Sequence, residues 1–207
     1  MSEATYLIFD FDGVIGDTKI AAAHATAAVS GMSYEDALAD NMRYASNKPE
    51  HTRDHTLTDA EMKAVYDWTV SFGERMRDSH FELFTEFVSE IEKLPVKYKA
   101  VVSSGSQQYV IPALAKTNIN PTHILAYENH HSKEEKIEAV CHDWGIDTKD
   151  VYYFTDTLAD VYELKNFIDA DKLIGVAWGY CGKAELSKEL SEKNILTYPS
   201  DLSQLLS

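Results

Sequence analysis

Basic residues, proline, cysteine and long apolar runs are all scarce in this chain. Its 207 residues include 19 lysines and arginines against 34 aspartates and glutamates, which gives a formal net charge of −15. A surface of that charge repels nucleic acid and anionic membranes, so we expect neither as a partner. It also repels any anionic substrate, unless a cationic side chain or a metal ion reverses the field locally.

Three further observations indicate the cellular compartment. The only cysteines are Cys141 and Cys181, which favours reduced thiols over a disulfide framework, although the sequence leaves a bond between them open. No apolar stretch approaches the length of about 18 residues that a membrane span needs. Residues 1–5 lack the basic flank of a secretion signal. We therefore expect a cytoplasmic protein, and the sequence does not reveal its oligomeric state.

Short apolar runs alternate with stretches of helical length along most of the chain. Such runs are typical of strands that are buried on both faces, as in a parallel sheet. The runs are residues 6–11, 98–103, 123–127, 151–155, 173–178 and, less clearly, 195–198. The helical stretches are residues 106–118, 132–144, 157–169 and 183–193. This alternation predicts an α/β fold with a doubly wound, Rossmann-like parallel sheet.

The segment between the first and second predicted strands breaks this alternation. It contains no convincing strand, and its helical stretches are residues 18–30, 33–45, 58–79 and 81–94. A crossover helix needs only about a dozen residues, so the segment is predicted to be an inserted all-helical domain. The predicted boundaries are 1–15 and 94–207 for the core and 16–93 for the insert. The aromatic residues spaced like the apolar core of the insert are Trp68, Phe72, Phe81, Phe84 and Phe87.

Two acids follow the first apolar run. In an open α/β sheet, ligands bind at the carboxyl ends of the strands, near the point where the strand order reverses. Asp10 and Asp12 stand at such an end, and their spacing of two directs both side chains to the same side. Burying two carboxylates together is costly unless a cation binds or one takes a proton. Asp169 and Asp171 have the same spacing but precede a strand, so position, more than spacing, favours Asp10 and Asp12.

Hydroxyl groups follow the second run. Ser103, Ser104 and Gly105 stand before a predicted helix, and hydroxyl groups together with free helix N–H groups can bind an anion. The alternative is a plain helix cap by Ser104 or Ser106.

The fourth and third runs add an acid and a cation. Asp156 ends the fourth run, and Asp160 lies one turn behind it, although a helix cap would also explain Asp156. Oxygen ligands in a water-rich pocket suit Mg²⁺, which uses few carboxylates and keeps several waters. Lys133 and Lys136 begin the helix after the third run, and Lys133 is favoured because it is closer to the strand end.

These four groups, in this order, resemble the haloacid dehalogenase superfamily in its phosphatase branch. The matching stretches are residues 10–18, 101–105, 132–133 and 155–160. The helical insert is similar to the mobile cap of many members. The resemblance implies a magnesium-dependent phosphatase that hydrolyses a small phosphorylated metabolite through an aspartyl-phosphate intermediate. Two positions depart from many relatives, because Thr155 stands in place of glycine and Glu134 in place of proline.

The resemblance also implies roles for the two acids of the first group. Asp10 would be the nucleophile and a metal ligand. Asp12 would be the general acid and base, with its backbone carbonyl on the metal. Because halide-displacing members lack an acid at the position of Asp12, halide displacement is disfavoured.

The other groups would serve the phosphate and the metal. The residues implied to bind the phosphoryl group are Ser103, Ser104, Gly105 and Lys133. Asp156 would ligate Mg²⁺, and Asp160 would orient that ligand shell. The missing proline leaves the choice between Lys133 and Lys136 open.

The polar segment 47–56 offers weaker candidates. His51 and His55 are spaced like a helical zinc pair, but the glutamate of the usual zinc-protease motif is absent. A substrate contact from Lys48, Arg53 or these histidines is a better use of the segment.

Two rival functions stay open at the level of sequence. A phosphomutase or phosphotransferase of the same superfamily could keep all these residues. A non-catalytic binding protein is the other rival, since a fold does not dictate a function. The sequence does not identify the substrate.

Overall fold

A six-stranded sheet forms the centre of the protein, which is described here by a computed structural model over residues 5–48 and 58–206. Every strand pairing in this sheet is parallel. In spatial order the strands are β5 (His123–Leu125), β4 (Tyr98–Val102), β1 (Tyr6–Phe9), β6 (Val151–Thr155), β7 (Leu173–Val176) and β8 (Ile195–Leu196). The predicted doubly wound parallel sheet is confirmed.

The strands at the centre of the sheet are buried on both faces. Leu7, Ile8 and Phe9 of β1 are all fully buried. Because side chains alternate along a strand, Leu7 and Phe9 join the apolar cluster on one face and Ile8 joins the cluster on the other. This two-sided burial explains why the strands read as continuous apolar runs.

Helices cover both faces of the sheet and form the insert. In chain order they are α1 (Lys19–Ser30), α2 (Tyr34–Ser46), α3 (Asp59–Asp78), α4 (Thr85–Lys93), α5 (Gln107–Leu114), α6 (Lys133–Trp144), α7 (Leu158–Leu164), α8 (Gly182–Leu186) and α9 (Asp201–Leu205). Helices α4, α5 and α9 pack on the face of Phe9, and α6, α7 and α8 on the face of Ile8. Within the described ranges, no helix combines the length and hydropathy of a membrane span.

The insert is built on the alanine-rich helix α1. Ala21, Ala22, Ala23 and Ala25 are buried, and α1 contacts both α2 and α3. Small side chains let the helix backbones approach closely. Helix α3 begins with a capping box in which Thr58 and Glu61 satisfy each other's backbone N–H groups.

A short antiparallel ribbon lies where the insert joins the core. Strand β2 (Gly16–Asp17) pairs with β3 (Glu82–Leu83). The expectation that this segment contains no strand is therefore wrong. Strands of two residues are too short to show the alternation of side chains by which a strand is recognised in sequence.

Helix α4 packs on the sheet. The ring of Phe87 lies 6.0 Å from Phe9, 6.4 Å from Phe154 and 4.9 Å from Trp178, measured between centroids. Phe87 therefore belongs to the core of the sheet, and its assignment to the core of the insert is wrong. This packing favours a return of the chain to the core near Phe84. The boundaries of the insert, including 16–93, stay a prediction.

We expect Phe87→Ala to lower the free energy of unfolding by about 3–5 kcal/mol, because it leaves a cavity between α4 and the sheet. Urea denaturation followed by circular dichroism measures the change. Tyr198→Ala is the matched control, since Tyr198 is 66% exposed, and it should stay within about 0.5 kcal/mol. A loss below about 1 kcal/mol for Phe87→Ala would contradict this packing.

Candidate active site

The carboxyl ends of three neighbouring strands meet at one edge of the sheet. The chain places β4 and then β5 on one side of β1, and β6, β7 and β8 on the other, so the strand order reverses around β1. The backbone hydrogen bonding between β1 and β6 extends to Asp10, whose N–H donates to the Phe154 carbonyl at 2.9 Å. Asp10, Ser103 and Asp156 each directly follow one of these strands, at the edge where open α/β sheets bind ligands.

Lys133 forms a buried ion-pair network with two acids. Its Nζ donates to Asp10 Oδ2 at 2.5 Å and to Asp160 Oδ2 at 2.6 Å, and all three residues are buried. Burial raises the pKa of Asp10 well above its usual value, against the opposing charge of Lys133. Burial alone would lower the pKa of Lys133, but the charges of Asp10 and Asp160 outweigh it and hold that pKa well above normal. Lys133 is therefore a fixed positive charge.

Asp160 is held by further donors from β6. Its Oδ2 accepts hydrogen bonds from Thr155 Oγ1 at 2.8 Å and from Tyr153 O–H at 3.2 Å. Thr155 also accepts the backbone N–H of Thr157 at 3.2 Å. Thr155 stands where the resemblance leads us to expect glycine. Its hydroxyl group fixes Asp160, and Asp160 orients Lys133.

The side chain of Asp12 accepts hydrogen bonds through one of its two carboxylate oxygens. Its Oδ2 accepts from Tyr109 O–H at 2.7 Å and from Ser103 Oγ at 3.3 Å. Ser103 Oγ in turn accepts the backbone N–H of Gly105 at 2.8 Å. Burial raises the pKa of Asp12, and the hydrogen bond from Tyr109 opposes that rise. The carboxyl group is therefore easier to protonate than an exposed aspartate.

Asp156 lies in a tight backbone cradle. A Cβ atom built on Gly13 or Gly179 would lie 1.9 Å or 2.3 Å from Asp156 Oδ2, so both positions need glycine. The same oxygen accepts the backbone N–H of Tyr180 at 2.6 Å. Burial raises the pKa of Asp156 to about 7. Gly179, which shows no phosphate-loop pattern in the sequence, therefore shapes this site.

Two buried carboxylate oxygens in the site call for a cation or a proton. Asp12 Oδ1 and Asp156 Oδ1 are buried and have no hydrogen-bond partner among the described residues. Such orphaned oxygens are costly unless a cation or a proton satisfies them. Within residues 5–48 and 58–206, no three His, Cys, Asp or Glu side chains form a ready-made metal cluster. Mg²⁺ does not need one, because it takes one or two carboxylates and keeps its waters.

Lys136, the other candidate lysine, contacts a different group. Lys136 is fully buried, and its Nζ donates to the backbone carbonyl of Ser103 at 2.7 Å. Burial, assisted by the nearby charge of Lys133, lowers the pKa of Lys136 to about 7. The structure thus brings Lys133 onto Asp10 and places Lys136 behind Ser103.

A cavity of about 510 Å³ lies over these groups, between the core and the insert. Ser104 and Gly105 line it beside Asp10 and Asp12. Trp68 also lines it and is 40% exposed, so its assignment to the core of the insert is wrong. An indole facing open space is not part of a packed core.

The structure separates the remaining candidates. Ser106, and not Ser104, caps α5 by accepting the Gln108 N–H at 3.2 Å. Lys48 is exposed and does not line the cavity. The candidates that lie outside the described residues are His51, Arg53 and His55.

Glu163 is a neighbour of the site that the sequence did not single out. Its Oε1 accepts the backbone N–H groups of Lys133 at 2.8 Å and Glu134 at 3.3 Å, which fixes the first turn of α6. Burial and then the charge of Asp160 raise the pKa of Glu163 to about 7. Because it is one acid among many in an acidic chain, no sequence signal distinguishes it.

We expect Glu163→Gln to stabilise the protein above pH 7. The folded state holds the Glu163 proton more tightly than the unfolded state does, so this group's contribution to stability falls as the pH rises from about 4.5 to about 7. Glutamine keeps the Oε1 acceptor without the charge. The substitution should raise the free energy of unfolding at pH 8 by an amount on the order of 1–2 kcal/mol, and this increase should vanish below about pH 4.5.

Urea denaturation at both pH values, without added metal, measures this gain. Glu74→Gln is the control, because Glu74 is an exposed glutamate within α3, and it should change little at either pH. If the free energies of unfolding of Glu163→Gln and the unchanged protein differ by the same amount at both pH values, the raised pKa of Glu163 is contradicted.

The comparisons with known proteins identify the family. A family model described as haloacid dehalogenase-like hydrolase matches residues 7–166. No sequence among the curated proteins matches the chain.

Solved structures share the fold over the whole chain. One from Lactobacillus delbrueckii subsp. bulgaricus, which carries the provisional name phosphoglycolate phosphatase, has a TM-score of 0.70 at 17% identity and covers 98% of each chain. A predicted phosphoglycolate phosphatase from Haemophilus somnus has a TM-score of 0.67 at 16% identity and covers 100% of each. A haloacid dehalogenase-like hydrolase from Streptococcus pneumoniae has a TM-score of 0.68 at 15% identity, again over 100% of each.

The matched segment covers more than half of the chain, and it contains the strand-end residues Asp10, Ser103 and Asp156 as well as Lys133 and Asp160. The chain therefore belongs to the haloacid dehalogenase-like hydrolases.

Proposed function

We propose that this protein is a magnesium-dependent phosphatase that hydrolyses a small phosphate monoester through an aspartyl-phosphate intermediate. The observation that carries the proposal is the buried contact of Lys133 with Asp10, on the floor of a cavity that also exposes Asp12. Two of the structures similar to this chain carry the name phosphoglycolate phosphatase, which supports phosphate ester chemistry.

Asp10 is the nucleophile in this proposal. Its carboxylate attacks phosphorus, and the bond from phosphorus to the ester oxygen breaks. The ion pair with Lys133 opposes the effect of burial, favours the ionised form of Asp10 and provides a positive charge for the phosphoryl oxygens. The backbone N–H of Phe11 donates to Asp10 Oδ1 at 2.7 Å, which fixes the carboxylate. Mg²⁺, when held by Asp10, Asp156 and the Asp12 carbonyl, supplies further charge neutralisation at the phosphoryl group.

Asp12 carries the proton in both halves of the reaction. It protonates the leaving oxygen and then takes a proton from the water that hydrolyses the aspartyl phosphate. Its raised pKa favours the protonated form that the first step needs. Because Tyr109 and Ser103 occupy Oδ2, we assign the proton to Oδ1.

Ser103, Ser104 and Gly105 bind the phosphoryl oxygens. Ser103 Oγ lies between Asp12 and the Gly105 N–H, and this contact with Asp12 supports a role for the hydroxyl beside the reacting group. Lys136 supports this turn through the Ser103 carbonyl. Asp160 positions Lys133 without contacting the substrate.

We expect Asp10→Asn to reduce phosphate release by at least about 1,000-fold in the presence of magnesium, because an amide is not a competent nucleophile. Asp169→Asn is the matched control, since Asp169 has the same Asp-x-Asp spacing at an exposed position away from the site, and it should stay within twofold. Release from a panel of phosphate esters, with and without magnesium, measures both. Activity of Asp10→Asn within a few-fold of the unchanged protein would refute the mechanism.

We expect substitutions of Lys133 and Lys136 to have very different effects on activity. Lys133→Met leaves Asp10 and Asp160 buried without their cation, so we expect kcat to fall by at least about 1,000-fold. Lys136→Met keeps the aliphatic stem and removes one hydrogen bond to a carbonyl, so we expect a loss of about tenfold or less. Circular dichroism checks that both variants fold. If Lys136→Met is as inactive as Lys133→Met, the assignment of Lys133 as the active-site lysine is wrong.

A further inference from the structure

The cavity over Asp10 is larger than a short phosphorylated acid requires. Its volume of about 510 Å³ lies within the usual range for sites that enclose a whole small molecule, about 300–1,000 Å³. The insert forms its roof, and Asp10 and Lys133 lie on its floor. A cavity of this size has room for an alcohol part that extends from the floor to the insert.

One wall of the cavity is aromatic. Helix α3 presents Val65, Trp68, Thr69 and Phe72 to the cavity, at the spacing of a single helix face. The rings of Trp68 and Phe72 stack, with centroids 5.1 Å apart and planes 14° apart. Phe72 in turn meets the ring of Tyr109 edge-on at 6.3 Å. Trp68 keeps 40% of its surface exposed, so this wall offers an apolar ring face to a ligand.

The charges in the cavity disfavour a second anionic group. Among the described residues, Lys133 is the only lysine or arginine in the lining, and both of its acidic partners already contact it. Glu163 lines the same space, and His131 packs edge-on against the ring of Tyr127. A carboxylate on the leaving group would therefore meet acids and no described lysine or arginine other than Lys133.

Neutral hydrogen-bonding groups lie on the insert side of the cavity, beside one acid, Asp40. Thr26 Oγ1 donates to Asn41 Oδ1 at 3.1 Å, and both residues line the cavity. The oxygen of Asn41 accepts this hydrogen bond, and an amide NH₂ group is a donor that can serve other acceptors. The roof thus suits an uncharged ligand with a hydrogen-bond acceptor.

On the basis of the proposed phosphatase function, we propose that the substrate is a phosphate monoester of an uncharged alcohol with a flat aromatic ring. The ring stacks on the wall of Trp68 and Phe72. Cleavage of the ester bond transfers the phosphoryl group to Asp10, and the alcohol leaves neutral with a proton from Asp12. This substrate class differs from phosphoglycolate, whose leaving group carries a carboxylate.

Three esters of alcohols with similar acidity test the proposal: benzyl phosphate, 2-phosphoglycolate and ethyl phosphate. Because their leaving groups are matched, differences in kcat/KM report on the cavity. We expect benzyl phosphate to exceed 2-phosphoglycolate by about tenfold or more. A preference for 2-phosphoglycolate overturns the inference and leaves the phosphatase intact. If none of the three releases phosphate with magnesium, the proposed function itself fails.

Variants of Trp68 separate ring stacking from general loss of activity. We expect Trp68→Ala to lower kcat/KM for benzyl phosphate about tenfold and to leave ethyl phosphate within twofold, whereas Trp68→Phe retains most of the activity with benzyl phosphate. Tyr198→Ala, a distant exposed aromatic, should change neither. An equal loss for both esters, or no loss for benzyl phosphate, would overturn the proposal.

Discussion

The site depends on one buried ammonium group placed between two carboxylates. Lys133, Asp10 and Asp160 are all withdrawn from water, so each charge is tolerated only because the others are in place. Neighbouring side chains hold these three groups in position. Thr155 holds Asp160 from the strand below, and Glu163 fixes the first turn of the helix on which Lys133 stands. The charge of Lys133 therefore opposes the rise that burial gives to the pKa of Asp10 and favours its carboxylate form.

Much of the fold could be predicted, because buried parallel strands leave a strong pattern in sequence. Each strand of the sheet coincides with an apolar run, and strand ends locate Asp10 and Asp156. The ribbon of β2 and β3 left no such pattern, since each strand has two residues. The apolar face of α4 was visible, but periodicity shows only that a helix buries a face. It does not show what covers that face, and Phe87 turned out to pack on the sheet.

The site was harder to predict wherever a role arises from contacts between distant parts of the chain. Tyr109 looks like an ordinary residue on the apolar side of a helix, yet its hydroxyl group holds Asp12. Gly179 has no motif around it, and its need for glycine comes from the side chain of Asp156 pressing on the backbone. Acids that follow a strand are recognisable from position alone, whereas these residues are defined by their neighbours in three dimensions.

The same shortage of positive charge constrains how a substrate is recognised. In the proposed reaction, a phosphate ester enters a protein of net charge −15, through a cavity whose lining lysine among the described residues is already paired with acids. Long-range attraction therefore contributes little to its capture. Among the described lining residues, the one basic side chain available to the phosphoryl group lies at the floor, so the proposal gives the rest of the ester uncharged contacts. An exposed indole stacked on Phe72 can provide such contacts without adding charge, so the proposed aromatic recognition of the leaving group agrees with the acidity of the site.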